Sequence, residues 1–592
     1  MRKKYLIFCL FSLLSIGLSA CIEKTPNGPA EYPDIENPDN ENEDDTPKPE
    51  VVDFPKDNNP TQIKAFQPIP KYSGDAKIQI YDFKDFEKTG EYLISGSHYI
   101  RRSQIFEVQV KANSGNDTDW KDVYVMADRN SYQVIEPNDN WGKVMTNHNH
   151  TASFSSKGSI TIRIKRRDGG TVSNAIIYPR KKNYTSTVKG EYLEIPLDNW
   201  AYIFIDFADL AGGGENEEPL FIFADPYQED IPVASGDDNV EYLYPTMSAS
   251  ELKNKINSTS KKTIYFTPGI YTFNDNTTSQ NYVGYKIPLK SNTRFYLPGN
   301  AMIVGSFLGD NRVSNCTFDG RGVVTACGKV RIPERPGIPF TLFRTETSGK
   351  VYLEGIHFSH PPHFCVLGEA NLTTRFTKMF GWYHQTDGWG GQDNSILQDS
   401  FTKANDDNIK VYKKNMLIKN VIIYKQINGA GVQFGWGAGG VGNTCTIEDL
   451  YIVKDDCKND GRDISNAPVL NLRGNDGGAI NNIHIRNLYI ENDVPRVLGL
   501  ELVHDATEAS FSNFCIDNLQ MTGKYTFKNN YLAKKQDKGV FRDFHFRNIV
   551  IDGKKIMNDN DWDLWQVKTK NIDGKSKYNG NTTTPIKINY YE

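Results

Sequence analysis

The feature that most restricts how this 592-residue chain can fold is a loose repeat in its second half. The segments VYLEGIHFS (351–359), LTTRFTKMF (372–380), SILQDSFTKA (395–404), MLIKNVIIYK (416–425), TIEDLYIVKD (446–455), IHIRNLYIEN (483–492), FSNFCIDNLQMTG (511–523) and FHFRNIVIDG (544–553) share one texture. Each places alternating apolar positions on both sides of a small or polar residue. Aligned on Gly355, Thr377, Ser400, Asn420, Asp449, Asn487, Asn518 and Asn548, they are spaced by 22, 23, 20, 29, 38, 31 and 30 residues. A strand-textured period of about 20–25 residues is what one coil of a right-handed parallel β-helix occupies, and longer steps mark loops inserted into coils. An antiparallel sandwich, whose repeats need not keep register, is the competing reading.

The chain before this repeat differs. Residues 66–244 carry short alternating strands broken by Gly, Asn and Asp, among them IFEVQVKA, GSITIRIKR and YIFIDFADL. That pattern predicts a β-sandwich, an all-β unit that braces its neighbour or binds sugar. PTMSASELKNKI (245–256) predicts one short helix: Ser248 and Glu251 form a capping box, and Leu252 and Ile256 share a face. The β-helix then occupies 245–592.

The first 21 residues, MRKKYLIFCLFSLLSIGLSAC, join a basic start, a short apolar run and small residues before a cysteine. They resemble a bacterial lipoprotein leader, with Cys21 the acylated first residue of the mature chain. Residues 22–65, rich in Pro, Asn, Asp and Glu, read as an extended tether. The expected location is a bacterial outer membrane, on the cell surface or the periplasmic face. Six cysteines then remain, from Cys316 to Cys515, without a C-x-x-C pattern; Cys445 and Cys457 are close enough in sequence to allow a disulfide. A formal charge of -5 and the lack of a basic stripe argue against nucleic acid. The expected partner is a polysaccharide, met by a monomer that uses no cofactor.

QTDGWGGQDNSILQDSFTKANDDNIKVY (385–412) holds the chemistry. Asp387 lies 19 residues before the adjacent pair Asp406 and Asp407, close to one coil, so the winding brings three carboxylates together on neighbouring coils. Crowded carboxylates cannot all ionise at once, so one keeps a proton near neutral pH while others act as bases. Those are the two roles that acetal hydrolysis needs. Calcium ligation or simple turn capping would use the same residues, but no calcium-loop spacing is present and no metal is expected. Trp382, Tyr383, His384, Trp389 and Trp436 are candidate sugar platforms, with Lys410, Gln433 and Arg473 as candidate polar contacts. His363, after Pro361 and Pro362, reads as a turn residue.

These stretches, with IYFTPGIYTF (264–273), YKIPLKSNTRFYLPGNAMIVGSF and FSHPPHFCV (358–366), resemble the family 49 glycoside hydrolases, the dextranase and isopullulanase group. The resemblance implies a β-sandwich followed by a right-handed parallel β-helix, and inverting endo-hydrolysis of an α-glucan. It also implies Asp406 as general acid, with Asp387 and Asp407 positioning and deprotonating water; the spacing alone does not choose between Asp406 and Asp407. Where related uronate-cutting enzymes carry Gly-His-Gly and Arg-Ile-Lys motifs, this chain reads INGAGVQFGWG (427–437), which argues against pectin. A glycan-binding lipoprotein without activity and a uronate lyase are the alternatives; the lyase would need a more cationic groove than Lys410 and Arg473 supply.

Overall fold

The computed structural model describes residues 53–57, 64–83, 91–95, 98–129, 148–210, 217–273, 286–310, 312–326, 333–335, 338–339, 341–346, 349–382, 385–436, 443–457, 467–473, 479–502, 509–526, 530–535, 539–569, 578–579 and 586–592. The leader, Cys21 and most of the tether lie outside the described residues. The end of the tether lies against the body: Thr446 Oγ1 donates to Asp57 Oδ2 at 2.8 Å, and Arg547 stacks over Phe54 at 4.2 Å.

Among the described residues, the first body is a sandwich of an eight-stranded and a five-stranded sheet. Period-two alternation drives it. Ile160–Arg166 buries Ile160, Ile162 and Ile164, and its antiparallel partner Phe106–Ala112 buries Phe106, Val108 and Val110 against the facing sheet. Apolar burial of this kind stabilises by about 25 cal/mol per Å².

The second body is a parallel β-helix. Its sheets have 19 and 12 strands among the described residues. The parallel pairing begins at Val240–Leu243, which lies beside Thr263–Phe266. The helix Ala249–Ser258 follows, with the capping box in place: Glu251 N–H donates to Ser248 Oγ at 3.2 Å and Ser248 N–H to Glu251 Oε2 at 2.7 Å. Leu252 and Ile256 are buried in the coil core. Strict register stacks like on like, so that Leu397, Ile418, Ile447, Ile485, Ile516 and Phe546 form one internal column.

The repeat seen in the sequence has a backbone cause. Each coil bends at a left-handed residue at this position, Gly355, Phe376, Asp399, Asn420, Asp449, Asn487, Asn518 or Asn548, with φ between 50° and 81°, and most carry a second five residues earlier, at Asn371, Asn394, Asn415, Asn482, Asn513 and Asp543. Asn and Asp tolerate that conformation better than other residues with side chains. They also bond up the stack: Asn420 to Asp399 at 2.7 Å, Asn487 to Asp449 at 2.9 Å, Asn518 to Asn487 at 2.7 Å and Asn548 to Asn518 at 3.1 Å. Two sequence anchors were one residue late, since Thr377 and Ser400 follow the bends at Phe376 and Asp399. Phe376 is an unusual residue for the position, and the Tyr202 hydroxyl of the sandwich donates to its carbonyl at 2.7 Å.

The sandwich braces the helix through an aromatic plate. Phe204, Phe221 and Phe223 pack on Tyr424, Phe380 and Phe401, with ring centroids 5.2–5.4 Å apart. Cys445 and Cys457 are both buried, in different apolar clusters, and the disulfide allowed by spacing does not join them.

Candidate active site

Three successive strands of the 12-stranded sheet build the site: Phe364–Leu367, Asp387–Gly391 and Ile409–Val411. Asp387 opens the middle strand opposite Phe364, and the Asp406–Asp407 turn leads into the third. The turn is held close by backbone. Asp387 N–H donates to the His363 carbonyl at 2.8 Å, Gly388 N–H to the Asp407 carbonyl at 3.0 Å, and Asp407 N–H to Asp387 Oδ1 at 3.0 Å. From the next coil, Ala430 N–H donates to Asp407 Oδ1 at 2.9 Å. Gly429 makes that approach possible: it has φ 79°, and a Cβ there would lie 2.0 Å from the Asp406 carbonyl carbon.

The three aspartates converge, each offering a carboxylate oxygen within 4.8 Å of the others. Asp387 and Asp407 are buried, 0% and 2% exposed, whereas Asp406 is partly exposed. Lys410 lies between the buried two, its Nζ 3.1 Å from Asp387 Oδ2 and 3.2 Å from Asp407 Oδ2, with Phe364 and Tyr412 rings beside it. Burial pushes the Asp387 carboxyl up to about 7; Lys410 opposes this and Asp407 adds to it. Burial favours a neutral Lys410, but Asp387, Tyr412, Asp407 and Asp406 outweigh it, so the ammonium is held far above its ordinary pKa. Burial therefore keeps a proton on the patch, because the single lysine shared by the acids offsets it only in part.

His363 was read as a turn residue and belongs to the site. Its Nε2 lies 3.5 Å from Asp387 Oδ2, at the end of a turn begun by His360. The signal lay in register: one coil before Asp387, position 364 faces position 387.

Of the predicted sugar platforms, two are corrected. Trp389 is 0% exposed because alternation turns it into the coil, where its Nε1 donates to Thr374 Oγ1 at 3.0 Å. Trp382 is also 0% exposed, stacked on His360 at 5.5 Å with Lys403 over its other side at 5.5 Å. Gln433 is 0% exposed, in register with Lys410 on the next coil, and donates to the Gly435 carbonyl at 2.9 Å. Its place is in the wall rather than on the groove surface. Arg473 is partly exposed at the end of Leu470–Arg473, two strands beyond Lys410, with its backbone opposite Trp436. Tyr383, His384 and the side chain of Trp436 lie outside the described residues.

No known family profile matches the chain. It is 22% identical over 515 residues to the isopullulanase of Aspergillus niger, covering 79% of this chain and 82% of that protein. It is 24% identical over 440 residues to a dextranase of Arthrobacter sp. (strain CB-8), covering 61% of this chain and 65% of that enzyme, just under two thirds of its length. Among solved structures, Dex49A from Penicillium minioluteum superimposes with a TM-score of 0.56 at 18% identity, covering 78% of this chain and 91% of that one. A sandwich ahead of a parallel β-helix, with this sequence likeness over most of its length, gives the chain a fold like that of the dextranase and isopullulanase group.

Proposed function

We propose that this chain cleaves internal bonds of an α-glucan by inverting hydrolysis, with α-1,6-linked dextran as the first substrate and pullulan or another α-linked polysaccharide as the alternative. One observation carries the reading: three aspartates converge within 4.8 Å around a single lysine, and only Asp406 reaches solvent. Asp406 is placed to protonate the glycosidic oxygen as the bond to the anomeric carbon breaks. Asp387 and Asp407, held by backbone N–H groups and Lys410, orient water and take its proton as the new C–O bond forms. With its carboxyl near 7, Asp387 takes the water proton only in its ionised form, so turnover rises with pH through that value.

The spacing is tighter than the about 6.5–9.5 Å of an inverting pair that faces across the sugar ring. On this reading acid and water-holding groups therefore share one patch. Buried Trp382 and Trp389 count against a protein that only binds glycan, because they offer no stacking surface.

The test is to incubate the chain lacking residues 1–21 with dextran, pullulan and other α-glucans, following product size and anomer by NMR. Inversion yields the β-anomer first and endo cleavage yields mixed oligosaccharides. An α-anomer product refutes inversion, and no cleavage of any α-glucan refutes the function. The leader supports attachment through Cys21 to an outer membrane; an acylated N-terminal peptide is expected by mass spectrometry and should disappear in Cys21→Ala.

A further inference from the structure

A second cluster lies in the sandwich. His148 and His150 alternate on the strand His148–Lys157 and so share a face, while Asn149 between them points the other way and accepts from Lys403 at 2.8 Å. Glu218 precedes the neighbouring strand Leu220–Pro226, whose first residue is in register with His150. The carboxylate meets both rings: Glu218 Oε2 lies 2.6 Å from His150 Nε2, and the two oxygens lie 3.1 and 3.2 Å from His148 Nδ1. All three residues are buried, at 6%, 2% and 9% exposure. His148 Nε2 and His150 Nδ1 are buried with no hydrogen-bond partner.

The cluster presents imidazole nitrogens and a carboxylate, with one ligand atom from each residue within 4.8 Å of the others. Two imidazoles and a carboxylate are donors that zinc accepts, with a fourth position left for water. The nitrogens that face the carboxylate, His148 Nδ1 and His150 Nε2, are the ligand atoms, and the convergence of both rings on one carboxylate carries the site.

We propose that His148, His150 and Glu218 bind a divalent transition metal of the zinc class, as a structural site. Ligands about 2.1 Å from zinc lie roughly 3.4 Å apart in a tetrahedron, so the His148–Glu218 spacing is close to fitting and the His150–Glu218 contact opens by about 0.8 Å. The metal ties two neighbouring strands on the face opposite Asn149, whose contact with Lys403 braces the β-helix behind Trp382. Arg101 is the competing counter-charge, since its field also reaches His150.

The test uses the chain from residue 22 onward, stripped with EDTA and titrated with zinc and with cobalt(II), read by elemental analysis, visible absorption and thermal unfolding. One metal per chain, tetrahedral-type cobalt absorption and a zinc-dependent rise in Tm are expected. Glu218→Gln, which keeps the shape and can still hydrogen bond, and His150→Ala should each weaken binding by more than the roughly 10–100-fold that even outer-sphere changes cost. Asp387→Asn should bind as the parent does. No stoichiometric metal in the parent, or metal that survives Glu218→Gln, overturns the site, as does metal lost only in Asp387→Asn.

Discussion

Among the buried acids that sit against lysines, Asp225 and Asp387 invite comparison, and of these two only Asp387 belongs to the candidate active site. Asp225, in the sandwich, is 0% exposed and faces two cations: Lys378 Nζ lies 2.6 and 2.7 Å from its oxygens and Arg321 Nε lies 3.6 Å away. The Tyr202 hydroxyl donates to it at 2.5 Å. Asp387 is equally buried but shares its one lysine with Asp407, while Asp406 stands at the edge. Two cations on one acid make a lock; at Asp387, burial that the shared lysine offsets only in part makes a proton store. Burial of a charge is therefore no guide to function; the ratio of charges and the presence of an open edge decide it.

The sharpest way to break this comparison is Asp406→Asn. It removes the acid at the open edge, and a general acid contributes about 10²–10⁴-fold, so glucan cleavage should fall by that much while circular dichroism and the unfolding midpoint stay put. Unchanged turnover would show that the proton comes from elsewhere. The lock answers differently: Asp225→Ala strands Lys378 and Arg321 at the domain interface, and urea unfolding should record a loss of about 3–5 kcal/mol. A near-zero loss would mean that water or other acids compensate them.

Lys410→Met sharpens the distinction. Without the ammonium the Asp387 carboxyl rises further, so the acidic limb of the pH–rate profile should move to higher pH, and each unit of rise cuts the ionised fraction roughly tenfold on that limb. A limb that stays fixed would remove Asp387 from the water-activating role. The smallest effect expected is on stability. Asp387 is near 7 when folded, against about 3.9 for an unperturbed aspartate. Between these values the folded state holds a proton that the unfolded state has released, so this group stabilises most at low pH and its contribution is lost as pH rises to about 7. Asp387→Asn cannot ionise; relative to the parent it should gain stability between about pH 4 and 7 and show a constant difference above that range. A difference independent of pH would contradict the raised carboxyl.

Much of this was legible because repetition and alternation are local. Asn420, Asp449, Asn487, Asn518 and Asn548 mark the bends directly, since few other residues with side chains adopt the left-handed region readily. Phe376 hid its bend, because the Tyr202 bond that supports it comes from 174 residues away. The aspartates were legible through their near-coil spacing. His363 was not, since it reaches Asp387 only through the coil before it.

The amino-acid sequence alone determined the winding of the β-helix, the capping box on its single described α-helix and the pairing of Asp387 with the Asp406–Asp407 turn, because each depends on period or on neighbours along the chain. Only the tertiary structure decided which side chains face outward. Trp389 looked like a sugar platform until pairing with the strands Phe364–Leu367 and Ile409–Val411 fixed which side of its strand faces the core and set it on Thr374, and Trp382 until His360 and Lys403 packed against it. Exposure is set by what packs on a residue from distant parts of the chain, and no local pattern carries that information.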